Sequence, residues 1–246
     1  MIDSEDAGIR LEVFKSLHYL SKIEMNKKKI LEHPKADKIY EGIFDKNDDV
    51  KIEAIITLGS IGDDKAWNKL KDALFDSSFG YFRHYIVRAM KEFRDKDELV
   101  DVLIELMNTG VDIETKLTVI NTFRDIGSSK PVEYLSDILF EEFEDDIKSE
   151  ILLTIGALGS EGDVDYLIPF LEEDNWFLKN SAVLALSNIK DDEAKNSLIQ
   201  VIENSDKVED QIIVKNAIKS LQNYTDKDVV DELLKYIRNY RMLLWN

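Results

Sequence analysis

A chain of 246 residues that is 44% apolar and 33% charged has the length of one large domain and the side chains to bury its core. It holds no cysteine, which excludes a disulfide framework, a thiolate metal site and a cysteine nucleophile. Its 32 basic side chains face 50 acidic ones, and the net charge of −18 opposes nucleic acid, whose phosphates are met by clustered Lys and Arg.

The chain opens Met-Ile-Asp-Ser-Glu-Asp, without the basic and then apolar order of a signal peptide. Its apolar runs stay far below the ~20 residues that cross a bilayer, so a cytoplasmic protein without membrane contact is expected. Ile9, Arg10, Val13, Leu17 and Leu20 open a degenerate unit over 7–44, lengthened by an insertion that carries Lys27, Lys28, Lys29 and Pro34. From Asp48 the sequence reads DDVKIEAIITLGSIG, and from Asp145 it reads DDIKSEILLTIGALG. Seven of these fifteen positions are identical and five more exchange one aliphatic side chain for another, which identifies an internal repeat. One slot, just after the first apolar position, holds Lys51, Arg83, Lys116, Lys148, Lys179 and finally Val214, at spacings of 32, 33, 32, 31 and 35. The repeats therefore run over about 45–75, 76–109, 110–141, 142–172, 173–203 and 204–238, with a C-terminal cap at 239–246.

Each unit reads as two helices. In the first, Val50, Ala54, Leu58 and Ile61 lie on one face of a 3.6-residue helix, and Leu178, Ala182, Leu186 and Ile189 fill the same slots later. Gly62, Gly127 and Gly159 follow such helices, where a left-handed residue is cheapest without a Cβ. The second helix carries Ala66, Leu70 and Leu74, then Ala194, Leu198 and Ile202, then Val229, Leu233 and Ile237. One hairpin cannot bury both stripes, so neighbours must stack. The expectation is an all-α fold, a right-handed α-α superhelix of about seven helical hairpins forming one domain over 1–246.

The order of apolar residue, Lys or Arg, Ala, Leu-Gly, Ile-Gly, Asp and then Ala-x3-Leu-x3-Leu, best seen from Asp48 to Leu74, resembles the short HEAT repeat, also called PBS-lyase HEAT-like. The resemblance implies a solenoid and, since such repeats serve unrelated proteins, a binding scaffold more than any one reaction. It also brings two alternatives: a phycobilin-lyase-like enzyme subunit, and a solenoid like the alkylpurine DNA glycosylases, which the charge of −18 disfavours.

Acids crowd the helix starts, among them Asp63, Asp64, Asp191 and Asp192 before second helices and Asp48, Asp49, Asp112, Asp145 and Asp146 before first helices. Carboxylates there cap free N–H groups, so capping is expected to account for most of the excess, although the field stays negative. His18, His33 and His84 have no metal-ligand spacing. Neither a phosphate-binding Gly loop nor a Gly-x-Ser-x-Gly elbow occurs, so no catalytic residue, metal or cofactor is assigned.

Aromatic side chains remain. Phe79, Tyr81, Trp176 and Phe177 stand where the copies at Lys51 and Lys148 carry Asp-Asp, and Trp67 lies beside a core stripe. Aromatic anchors are what protein interfaces use, so these five are the candidate partner-binding residues, with packing against a neighbouring helix pair the competing role and, for Trp67, the expected one. Met242, Leu243, Leu244 and Trp245 are expected to cover the last repeat. The function expected is a non-enzymatic scaffold, adaptor or inhibitor that binds a basic protein through a concave second-helix face and an aromatic edge, with the oligomeric state left open.

Overall fold

A computed structural model describes residues 2–142, 144–204, 211–224, 227 and 229–235. The expected cap at 239–246, its residues Met242 to Trp245, and Ile237 lie outside the described residues. Among those described there is helix and no strand, and the chain divides into two compact units, Met1–Ile126 and Gly127–Asn246. The expected 110–141 repeat straddles that division.

The N-terminal unit holds α1 (Ala7–Ser21), α2 (Glu24–Leu31), α3 (Asp37–Glu41), α4 (Asp48–Ile61), α5 (Asp64–Phe75), α6 (Arg83–Met90), α7 (Leu99–Met107) and α8 (Ile113–Ile126). First helices stack in series, α1 on α4, α4 on α6 and α6 on α8, while α5 packs on α6 and α7. The best sequence copy shows why. The Asn47 side chain accepts the Val50 N–H at 3.1 Å and opens α4. Val50, Ala54, Leu58 and Ile61 are all fully buried, each large aliphatic contributing about 1.5–3 kcal/mol. Gly62 then leaves the helix at φ +63°, and Asp63 caps the Ala66 N–H at 2.8 Å to start α5, whose Ala66, Leu70 and Leu74 are buried in turn.

The C-terminal unit holds α9 (Val132–Leu139), α10 (Asp145–Leu158), α11 (Trp176–Leu186), α12 (Asp192–Glu203) and α13 (Gln211–Ser220), and residues 229–235 are helical. Here α10 packs on α9 and α11, and α13 on α11 and α12. Ser149 and Ser181 join α10 to α11 through a buried hydroxyl pair at 2.8 Å, and Asn216 donates to Asn180 at 2.7 Å between α13 and α11. The second half of the 142–172 hairpin is no α-helix. It is two 3₁₀ segments, Glu161–Tyr166 and Ile168–Leu171, because Pro169 has neither an N–H to donate nor room for the preceding turn.

One glycine assignment needs correction. Gly159 ends α10 in an extended conformation, φ −75°, and not in the left-handed one expected, because Ser160 and Asp163 form a capping box at once and draw the chain into the 3₁₀ segment. Gly59 and Gly156 serve the packing of one helix on another. They lie inside α4 and α10, where a Cβ would come within 2.7 Å of the Ala89 carbonyl and 2.6 Å of the Ala185 carbonyl, so they are the points where one first helix lies against the next.

Candidate interaction surface

In the N-terminal unit α6 is preceded by a 3₁₀ turn, Ser77–Phe82, which Asp76 opens by accepting the Ser78 N–H at 2.8 Å. Three residues per turn put Phe79 and Phe82 on one side, and both are buried. Tyr81, off that row, is 72% exposed. Its ring stands edge-on to Phe82 at 5.3 Å, while Phe44, 59% exposed, stands edge-on to Phe79 at 5.7 Å. The Lys51 ammonium lies 4.4 Å from the Phe82 ring centre and 5.6 Å from that of Phe79. Two exposed rings are thus held at fixed angles by a buried pair. Beside them His84 packs on Tyr85 at 4.1 Å, and its Nε2 lies 3.5 Å from the Glu114 carboxylate.

The C-terminal unit repeats the device with other parts. Asn175 caps α11 by accepting the Phe177 N–H at 3.0 Å, and its amide donates to Asp145 at 2.7 Å, tying the start of α11 to that of α10. Trp176, 59% exposed, projects from the first turn, with the half-buried Phe177 ring 6.1 Å away. Phe140, also exposed, packs on the buried Phe170 at 5.6 Å.

Of the five aromatic candidates, Tyr81 and Trp176 are exposed and Phe177 partly so, whereas Phe79 must be corrected to an interior residue and Trp67 takes the packing role expected of it. Phe79 turns inward because the 3₁₀ pitch pairs it with Phe82. Trp67 is 2% exposed, its ring 5.4 Å from Phe93 and its Nε1 donating to Glu98 at 2.6 Å, so it joins one repeat to the next. Phe44 and Phe140 were not anticipated. Their signal is an aromatic just after an apolar stripe and just before an acid-rich start, as in Phe44-Asp45 and Phe140-Glu141.

Capping absorbs fewer acids than expected. Asp63, Asp112 and Asp191 accept helix-start N–H groups, but Asn47 and Asn175 do so for α4 and α11, leaving Asp48, Asp49 and Asp174 in solvent. Where second helices begin, some acids are met by a lysine of the following repeat: Lys65 pairs with Asp37, and Lys96 with Asp64 at 2.5 Å.

A polar cavity of about 560 Å³ lies at the ends of α1, α4 and α6, lined by His18, Lys22, Lys27, Ser60, Arg88 and Glu92. Burial, aided by the charge of Lys22, lowers the His18 pKa, so the imidazole is neutral at pH 7. Its Nδ1 is buried without a hydrogen-bond partner, and the adjacent Ser21 and Ser60 hydroxyls bond to each other at 2.6 Å instead of to the ring. No described hydroxyl is thereby activated by this histidine, and among the described residues no group of three His, Asp or Glu could hold a metal.

Residues 132–213, from α9 into α13, match the family model of HEAT repeats. Over that stretch the hairpins are HEAT-like repeats. An engineered protein of known crystal structure matches with a TM-score of 0.57 at 17% identity, over 96% of this chain and 69% of that one. The complex of CpcE and CpcF of phycocyanin lyase from Nostoc sp. PCC7120 matches with a TM-score of 0.46 at 15% identity, over 94% of this chain and 89% of that one. No curated protein matches the sequence. The fold by itself implies no one reaction, and no described helix is long and apolar enough to cross a membrane.

Proposed function

We propose that this HEAT-like chain is a non-enzymatic scaffold, an adaptor or an inhibitor, that binds a basic protein partner through exposed aromatic rings on an acidic surface. The observation that carries the reading is the exposure of Tyr81 and Trp176 at helix starts where other copies of the repeat have Asp, each ring braced by a neighbouring aromatic side chain. A rigid aromatic ring gives up little conformational freedom on binding and supplies large contact area, which is how hot spots work. The net charge of −18, with Asp48, Asp49 and Asp174 among the exposed acids, speeds encounter with a basic protein and sets its orientation. The same charge weighs against a glycosylase-like grip on DNA.

The test is capture from the native source's lysate by wild-type protein and by the Tyr81→Asp, Trp176→Asp variant, at low and high salt. A basic protein retained by wild type, weakened by salt and lost in the variant supports the reading. Identical retained sets for the two, with both folded, would overturn it.

A further inference from the structure

The first hairpin departs from the others at Pro34. In later hairpins α5 and α12, each of 12 residues, run unbroken as second helices. Here α2 stops at Leu31 and α3 has only five residues, because Pro34 removes an N–H and disfavours helix in the residue before it. The row Val13, Leu17, Leu20 on α1 is left incompletely covered, with Leu20 41% exposed. Between that row and Ile30, Ala36 and Ile39 opens a cavity of about 410 Å³, within the range of small-molecule sites.

The polar part of its lining is Asn26, Lys29, His33 and Lys35, with no carboxylate. His33 is oriented, its Nδ1 accepting the Lys35 N–H at 3.1 Å. Among the described residues Lys28 pairs with Glu32 at 3.8 Å and Lys38 with Asp3 at 3.1 Å, whereas Lys29 and Lys35 form no ion pair. The acid that feels Lys35, Asp3, is therefore already neutralised. Residues 22–38 hold six lysines and three acids, a local reversal of the chain's overall sign. Screening over about 8 Å at physiological salt lets that local charge decide what approaches.

An aliphatic cavity rimmed by two free ammonium groups complements a hydrocarbon chain that ends in an anion. We propose that this cavity binds a medium-chain fatty carboxylate, its chain lying along Val13, Leu17 and Leu20 and its carboxylate at the rim formed by Lys29 and Lys35.

Isothermal titration of the full chain with decanoate, below the concentration at which it aggregates, tests this, with decanol and decylamine as controls for charge. Saturable one-to-one binding of decanoate, and much weaker binding of decylamine, is expected. Exchanging the exposed pair Lys29→Gln, Lys35→Gln leaves the fold intact and should weaken decanoate about tenfold while leaving decanol unchanged. Ala36→Phe, which fills the cavity from its wall, should abolish binding of both. The Tyr81→Asp, Trp176→Asp variant should bind decanoate as wild type does, so this site and the aromatic surface stand or fall separately. Absent decanoate binding, equal affinity for decylamine, or an affinity unchanged by Ala36→Phe would each overturn the proposal. So would capture of an acidic amphipathic peptide at this site by a chain that ignores decanoate, which would make it a protein groove.

Discussion

Gly156→Ala is the sharpest test of how the repeats are stacked. An added Cβ would lie 2.5 Å from the Ala185 Cα, 2.6 Å from its carbonyl oxygen and 2.7 Å from its Cβ. Two of those atoms are backbone, so no side-chain rotation relieves the contact, and α10 and α11 must separate. Overpacking of this kind costs up to about 3 kcal/mol, and the better helix propensity of Ala returns about 1 kcal/mol. The net loss is about 2 kcal/mol, a fall in Tm of about 4–8 °C for a chain of this size. Thermal and urea unfolding followed by circular dichroism read the effect. Gly162→Ala is the control, since a Cβ there meets nothing within 4 Å. Ala185→Gly on top of Gly156→Ala should restore only part of the loss, because it removes the Cβ and leaves the Cα and carbonyl in place. A Gly156→Ala protein as stable as wild type would refute this account of the helix contact.

Trp67→Ala should destabilise by about 3–5 kcal/mol by opening a cavity at the joint with the next repeat, and an unchanged Tm would refute the packing role of Trp67. Acid should also unfold the protein. The Arg10 guanidinium, bonded to Asp45 at 2.7 and 2.8 Å, holds that carboxyl below its ordinary range, as Lys96 does for Asp64 and Lys71 for Glu98. Carboxyls lowered in the folded state take up protons first in the unfolded one. Their contribution is therefore full above about pH 4 and is lost as pH falls through the lowered values. A urea midpoint that does not move between pH 7 and pH 3 would contradict this, and Asp45→Asn should flatten the acid limb.

The stacking was legible in the sequence because one slot keeps its register. Arg10, Lys51, Lys116, Lys148, Lys179 and Val214 each occupy the fourth residue of α1, α4, α8, α10, α11 and α13. Periodicity of this kind is local, and local spacing is what a sequence displays. What stayed hidden depends on neighbours. Nothing in the order of residues says that Gly59 faces Ala89, or that Phe79 turns inward on a 3₁₀ pitch while Tyr81 turns out. The exposed half of the aromatic surface was legible at Tyr81 and Trp176, where charge gives way to a ring. Phe44 was not, because it closes an apolar stripe and its exposure depends on where Phe79 settles.

The pairing of Lys65 with Asp37 and of Lys96 with Asp64 gives the N-terminal unit a direction. The 45–75 hairpin offers Lys65 to the one before it and Asp64 to the one after. A duplicated hairpin spliced into such a series finds an opposite charge on both flanks, and a deleted one leaves ends that still match. Repeat number can therefore change in evolution by whole units without charge conflict, and selection on length is free to answer to the size of what is bound.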